Sequence, residues 1–288
     1  MSQPCRVIAV CGHEAGFGAA LRDTADPTLS VVTAGRELFR CVVELRLLGE
    51  EVCVVPMSLG RDPELVADTA RTLRSLAEGE RRGTVLAPPF GTSQHLTSWL
   101  RAAASGIPAD SALLLTAPAG DPFDDAELYR VASLVRRYGN HALVEVAFTG
   151  GDPDPAEGVR RCRRLGAAAV TVLPASFVPP PAVPDDARTR VHGPLLSPAA
   201  LARVIAERVA DARVRWSEHG DDGVAAGLGA ADGHGHHHTH PPGEGHGHDH
   251  GHGHSHGHLH DHGPPHPHPH PHQPPHAHAA GRVDRSTP

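Results

Sequence analysis

Up to Arg215 the chain alternates short apolar runs with longer Ala-, Arg- and Leu-rich stretches, and that alternation leaves few folds open to it. The apolar runs fall at residues 7–10, 52–55, 84–87, 112–116, 143–148, 169–173 and 189–192. Helical spacing fills 29–48, 63–78, 92–104, 124–138, 155–165 and 198–214. Strands that alternate with helices build βαβ units around a parallel sheet, so the expected class is α/β. Asp62 before Pro63, Asp154 before Pro155 and Ser197 before Pro198 are helix starts, each with a capping side chain ahead of a proline in the first turn. The plan also repeats. Val54-Val55-Pro56-Met57-Ser58-Leu59 returns in type as Val172-Leu173-Pro174-Ala175-Ser176-Phe177, and Pro89-Phe90-Gly91-Thr92 returns as Pro194-Leu195-Leu196-Ser197. A duplicated unit of about 105 residues follows, with one copy over 1–108 and the other over 109–215.

Beyond Arg215 the material changes. Of 25 histidines, 20 lie in the last part of the chain: His234, His236, His237, His238, His240, His246, His248, His250, His252, His254, His256, His258, His260, His262, His266, His268, His270, His272, His276 and His278. Residues 216–288 are dominated by Gly, Pro and His, a composition that buries too little apolar surface to offset its ordering entropy, so a disordered tail is expected. Imidazole is a ligand for Co, Ni, Zn and Cu, and rings alternating with Gly gather around an ion at little steric cost. The tail therefore reads as metal-binding. It does not choose among these metals, because its affinities follow the Irving–Williams order.

Charge and residue usage exclude several classes. Residues 216–288 hold 8 Asp and Glu against Arg282 and Arg285, so the body is nearly neutral and lacks the basic stripe of a nucleic-acid binder. All 26 basic residues are Arg, which removes a Schiff-base lysine and a Walker-type phosphate loop. No apolar run is long enough for a membrane span and no leader pattern opens the chain, so a cytoplasmic protein is expected. The 5 cysteines are scattered without a CxxC pair, against a disulfide framework or a thiolate zinc site.

Ligands of parallel sheets bind beyond the carboxyl ends of the strands. The first such loop, Cys11-Gly12-His13-Glu14-Ala15-Gly16-Phe17-Gly18, offers an imidazole and a carboxylate. Asp62 falls at the same edge, and Asp121 is its counterpart in the second half. The glycines do not match GxGxxG in register, and GxSxG is absent, so neither a dinucleotide site nor a nucleophile elbow is expected.

Taken in order, these segments resemble the sirohydrochlorin chelatases of cobalamin and sirohaem biosynthesis. The residues concerned are Gly12-His13 after the first strand, Val54-Val55-Pro56-Met57-Ser58-Leu59-Gly60, and Ala87-Pro88-Pro89-Phe90-Gly91 before a helix. In the second half they are Val144-Glu145-Val146-Ala147-Phe148, Leu165-Gly166 through Leu173-Pro174, and Gly193-Pro194-Leu195. The resemblance implies two chelatase-like units, each with a central parallel sheet flanked by helices. It implies insertion of a divalent metal into a tetrapyrrole without a nucleotide, Co²⁺ first, with Ni²⁺, Fe²⁺ or Zn²⁺ as alternatives. His13 matches the family's first-loop histidine and takes the catalytic and metal-holding role. The family's second histidine is replaced by order of sequence with Asp62, and Glu14 is a further carboxylate within reach. Ala117-Pro118-Ala119 stands where the second half would carry its own loop histidine, so no metal centre is expected there. The alternative reading is a non-catalytic protein that stores or delivers divalent metal.

Overall fold

A computed structural model describes residues 5–22, 29–180, 182–183 and 187–232 of the chain. In order, the first half comprises β1 (Arg6–Cys11), a 3-10 turn (His13–Gly18), α1 (Ala19–Arg22), β2 (Leu29–Val32), α2 (Arg36–Leu47), β3 (Val52–Met57), α3 (Pro63–Arg74), α4 (Glu78–Arg81), β4 (Thr84–Leu86) and α5 (Ser93–Ala104). The second half comprises β5 (Ser111–Pro118), α6 (Pro122–Arg137), β6 (Val144–Thr149), α7 (Pro155–Arg164), β7 (Ala169–Pro174), β8 (Thr189–Val191), α8 (Pro198–His219) and α9 (Val224–Leu228). Each half holds a four-stranded parallel sheet, ordered β2-β1-β3-β4 and β6-β5-β7-β8, so the strand order repeats from one half to the other. Every residue of β3 is buried, as expected where both faces of a parallel sheet are covered. Ala9, Val55, Leu115 and Leu173, drawn from both sheets, belong to one continuous apolar cluster, so the halves share a core.

Two expectations are corrected. The segment 29–48 is not helical from its start: Leu29–Val32 is an edge strand paired in parallel with β1, Val7 opposite Leu29, and α2 begins only after Gly35. β-branched Val31 and Val32 next to a free strand edge outweigh the helical spacing. The ordered chain also does not end at Arg215. α8 continues to His219 and stops at Gly220, and Asp221 and Asp222 accept hydrogen bonds from the Gly223 and Val224 amides to turn the chain into α9. Composition alone placed these residues in the tail. They are held because the Asp222 carbonyl accepts from the Leu86 amide at 2.8 Å, which satisfies the exposed edge of β4, and because α9 packs Val224 and Leu228 into the first half's outer cluster. The 20 tail histidines lie outside the described residues. Among the described residues no helix is long and apolar enough to cross a membrane.

A chain ended at residue 215 is therefore expected to be less stable than one ended at 232. Uncovering buried Val224 alone costs about 1.5–3 kcal/mol, and the lost β4 edge bond adds about 1 kcal/mol. Thermal melts of the two truncations check this, and coincident melts would refute a packing role for α9.

Candidate metal centre

Three strand ends supply the centre. β1 stops at Cys11, and Gly12 passes the chain to His13 at the head of the 3-10 turn. β3 stops at Met57, and Ser58 to Asp62 lead into α3. β5 stops at Pro118, and Asp121 caps α6 by accepting from the Phe123 and Asp124 amides at 2.7 and 2.8 Å. His13, Asp62 and Asp124 each bring one ligand atom to within 4.8 Å of the others. The first two come from the first half and the third from the second.

Asp62 has two tasks at once. Its Oδ1 accepts from the Leu65 amide at 2.9 Å, which caps α3, while Oδ2 lies 3.0 Å from His13 Nδ1. Gly12 is what permits this approach, since a Cβ there would stand 2.1 Å from Asp62 Oδ2. Gly120 is similarly constrained: its Cβ would lie 2.9 Å from Asp124 Oδ2 and 3.0 Å from His13 Nε2. That Nε2 is buried with no hydrogen-bond partner among the described residues, and it belongs to a set of one imidazole and two carboxylates. Asp62 Oδ2 holds the Nδ1 side of the ring by that 3.0 Å contact, as an outer carboxylate orients a ligating imidazole, which leaves Nε2 as the nitrogen that would face an ion.

Electrostatics follow from the crowding. Burial pulls His13 downward, but the hydrogen bond and charge of Asp62, helped by Glu14, outweigh it and leave the imidazole above its usual value. Asp124 is pushed up to about 6 by burial and by the charges of Asp121 and Asp62, against the pull of His13.

The other expected residues are placed differently. Glu14 is fully buried and accepts from Ser58 Oγ at 2.8 Å and the Leu59 amide at 2.9 Å, so it ties the first loop to the β3 loop and falls outside the three-ligand group. Burial raises it despite the nearby Arg61 charge. Asp121 is a helix cap. His95 sits in the capping box of α5 and stacks on Trp99, and His141 is buried between the Ser111 and Ala104 carbonyls. His192 is half-buried and His219 is exposed.

Sequence reasoning missed Asp124 and Arg61. The second half was expected to carry no metal centre, with Asp121 as its candidate residue, yet it is Asp124 that joins the group of three. The signal was the run Asp121-Pro122-Phe123-Asp124-Asp125, in which a cap at Asp121 makes Asp124 the third residue of the helix. Which of these acidic residues faces His13 depends on how α6 is rotated against the first half. Arg61 has a completely buried side chain, donates from Nε to the Asp124 carbonyl and from Nη2 to Asp125 Oδ1, both at 3.1 Å, and lies 5.9 Å from the Phe148 ring centroid. It reaches from the first half into the first turn of α6 and sets the height of Asp124. Beside the centre, a cavity of about 380 Å³ runs from Asp62 and Ser58 past Pro88 and Ser93 to Gly227 and Ala230.

No protein-family profile and no curated protein matches the chain. Among solved structures it is similar to CbiX, the terminal enzyme for biosynthesis of siroheme in denitrifying bacteria, at 18% identity and TM-score 0.40 over 73% of this chain and 99% of the other. It is also similar to the sirohydrochlorin chelatase SirB from Bacillus subtilis subspecies spizizenii in complex with cobalt, at 13% identity and TM-score 0.44 over 75% of this chain and 97% of the other.

Proposed function

We propose that the chain is a metal chelatase of the sirohydrochlorin type, a lyase that places Co²⁺ into a tetrapyrrole in cobalamin biosynthesis without ATP. The observation that carries this is the convergence of His13, Asp62 and Asp124 at the carboxyl ends of two parallel sheets. The order of the chelatase-like sequence motifs supports it. Insertion requires a group that holds the incoming ion and acceptors for the two protons that leave the pyrrole nitrogens. His13 holds the ion through a ring nitrogen. Asp124, a carboxylate that burial and the charges of Asp121 and Asp62 hold above its usual range, is the proton acceptor. The cavity at Asp62 has room for part of a macrocycle's edge. The tail histidines are the local store from which the metal is drawn, and the site of action is the cytoplasm.

One observation favours storage or delivery without catalysis. The His13 and Asp62 side chains are only 14% and 10% exposed, and Nε2 itself is buried, which leaves a macrocycle little access. A single assay separates the readings. Purified protein is mixed anaerobically with sirohydrochlorin and Co²⁺, and the absorbance change is followed against the spontaneous rate. The chelatase is expected to exceed that rate and to lose the excess in His13→Ala, whereas a wild-type rate at background rejects catalysis. Deleting residues 233–279 is expected to lower the number of Co²⁺, Ni²⁺ or Zn²⁺ ions bound per chain in equilibrium dialysis. Unchanged stoichiometry would remove the storage role.

A further inference from the structure

Two cysteines remote from the metal centre form a reactive arrangement of their own. Cys5 directly precedes β1 and Cys53 is the second residue of β3. The two strands pair in parallel with Val7 opposite Cys53, and the two-residue period of a strand puts Cys5 on the face that Val7 shares with Cys53. Both residues belong to the same apolar cluster, Cys53 fully buried and Cys5 partly exposed, and the Cys5 thiol lies 3.7 Å from the Arg6 carbonyl. Cys5 lines a cavity of about 210 Å³ together with Glu51, Arg213 and Trp216, which gives a small solute a path to its sulfur.

The five cysteines differ in a way that fits this placement. The neighbouring Cys53 thiol, aided by the Arg213 charge, holds Cys5 below the usual thiol range against burial and Glu51. The Cys5 thiol and burial drive Cys53 upward. Burial pushes Cys11 and Cys162 up to about 12 and also raises Cys41. Cys5 is therefore the most readily ionised and the best placed for attack. A thiolate that meets solvent next to a second thiol is the arrangement of redox-responsive cysteines.

We propose that Cys5 and Cys53 are a peroxide-responsive dithiol, with Cys5 as the attacking sulfur and Cys53 as the resolving one. The Cys5 thiolate attacks a hydroperoxide oxygen, forming an S–O bond as the O–O bond breaks. The departing hydroxide or alkoxide takes up a proton, and Cys5 becomes a sulfenic acid. The Cys53 sulfur then attacks the Cys5 sulfur, forming the S–S bond as the S–O bond breaks. The second hydroxide leaves with the Cys53 proton as water. Two electrons pass from the dithiol to the peroxide, and a dithiol reductant reverses the change. This site does not depend on the function proposed for the metal centre.

The test uses the full chain, reduced, stripped of metal with a chelator and exposed to a small excess of hydrogen peroxide. It is then quenched, alkylated under denaturing conditions and digested with trypsin. The expected product is the peptide ending at Arg6 joined to peptide 47–61, with free thiols falling from five to three per chain. Cys41→Ser should give the same link. Cys53→Ala should stop at a Cys5 sulfenic acid that a 1,3-dione reagent labels, and Cys5→Ser should leave Cys53 a free thiol. Recovery of both peptides unlinked from the wild-type chain overturns the proposal without recourse to any variant. So does Cys5 recovered as sulfinic acid beside an unreacted Cys53.

Discussion

His13→Ala, made in a chain ended at residue 232 so that the tail cannot mask the result, is expected to lower Co²⁺ affinity by about 100-fold or more. Loss of a group that only orients a ligand already costs about 10–100-fold, and His13 supplies the nitrogen of the set itself. Asp124→Asn tests the same centre from the second half. It keeps the volume and the α6 backbone but replaces a charged ligand with a weak neutral one, so a loss of about 10–100-fold is expected with little change in melting temperature. Asp62→Asn should weaken binding comparably, because an Asn side chain still caps α3 and stability is largely preserved. Isothermal titration with Co²⁺ measures all three. If Asp124→Asn binds as tightly as the parent while His13→Ala does not, the metal is held by the first half alone and the centre bridging the halves is wrong.

Arg61→Met is expected to have the largest effect on stability. The substitution keeps an unbranched apolar stem but removes a guanidinium that is completely buried, so the Asp124 carbonyl loses its side-chain donor and the Asp125 carboxylate keeps only the Gly120 amide. Breaking one side of a buried pair costs about 3–5 kcal/mol. Asp125 is 24% exposed and is partly resolvated, so the lower end of that range applies. For a body of this size about 3 kcal/mol is a fall of roughly 6–12 °C in melting temperature. Asp125→Asn, which leaves a neutral acceptor for Arg61, should cost only about 1 kcal/mol. An Arg61→Met chain that melts with the parent would show that Arg61 does not join the halves. Because Arg61 also fixes the first turn of α6, its loss should weaken Co²⁺ binding in the folded protein as well, whereas Asp125→Asn should leave that affinity near the parent's.

Much of this architecture was legible in local pattern. The apolar runs at 52–55 and 169–173 lie inside β3 and β7, and the Asp-Pro and Ser-Pro starts at residues 62, 154 and 197 are observed helix caps. Such features depend on neighbours a few positions away. β2 was not legible, since four residues with helix-compatible spacing become a strand only when a free edge of β1 is beside them. α9 was hidden for a related reason: its short, Gly-containing sequence is helical because α3 and the edge of β4 receive it.

The candidate site divides along the same line. His13 and Asp62 stand out in the sequence because each follows a strand end in a parallel sheet, where ligands gather. Sequence alone determined the α/β class, the repeated strand-and-helix plan, the edge at which to look and a tail of closely spaced histidines. The tertiary structure decided that Glu14 is buried as a loop tie, that Asp62 caps a helix and meets His13 with its other oxygen, and that Asp124 completes the group under the hold of Arg61. Local propensities fix where a strand stops. Which carboxylates then share a few ångströms depends on the packing of one half against the other and the rotation of α6, which no short stretch of sequence specifies.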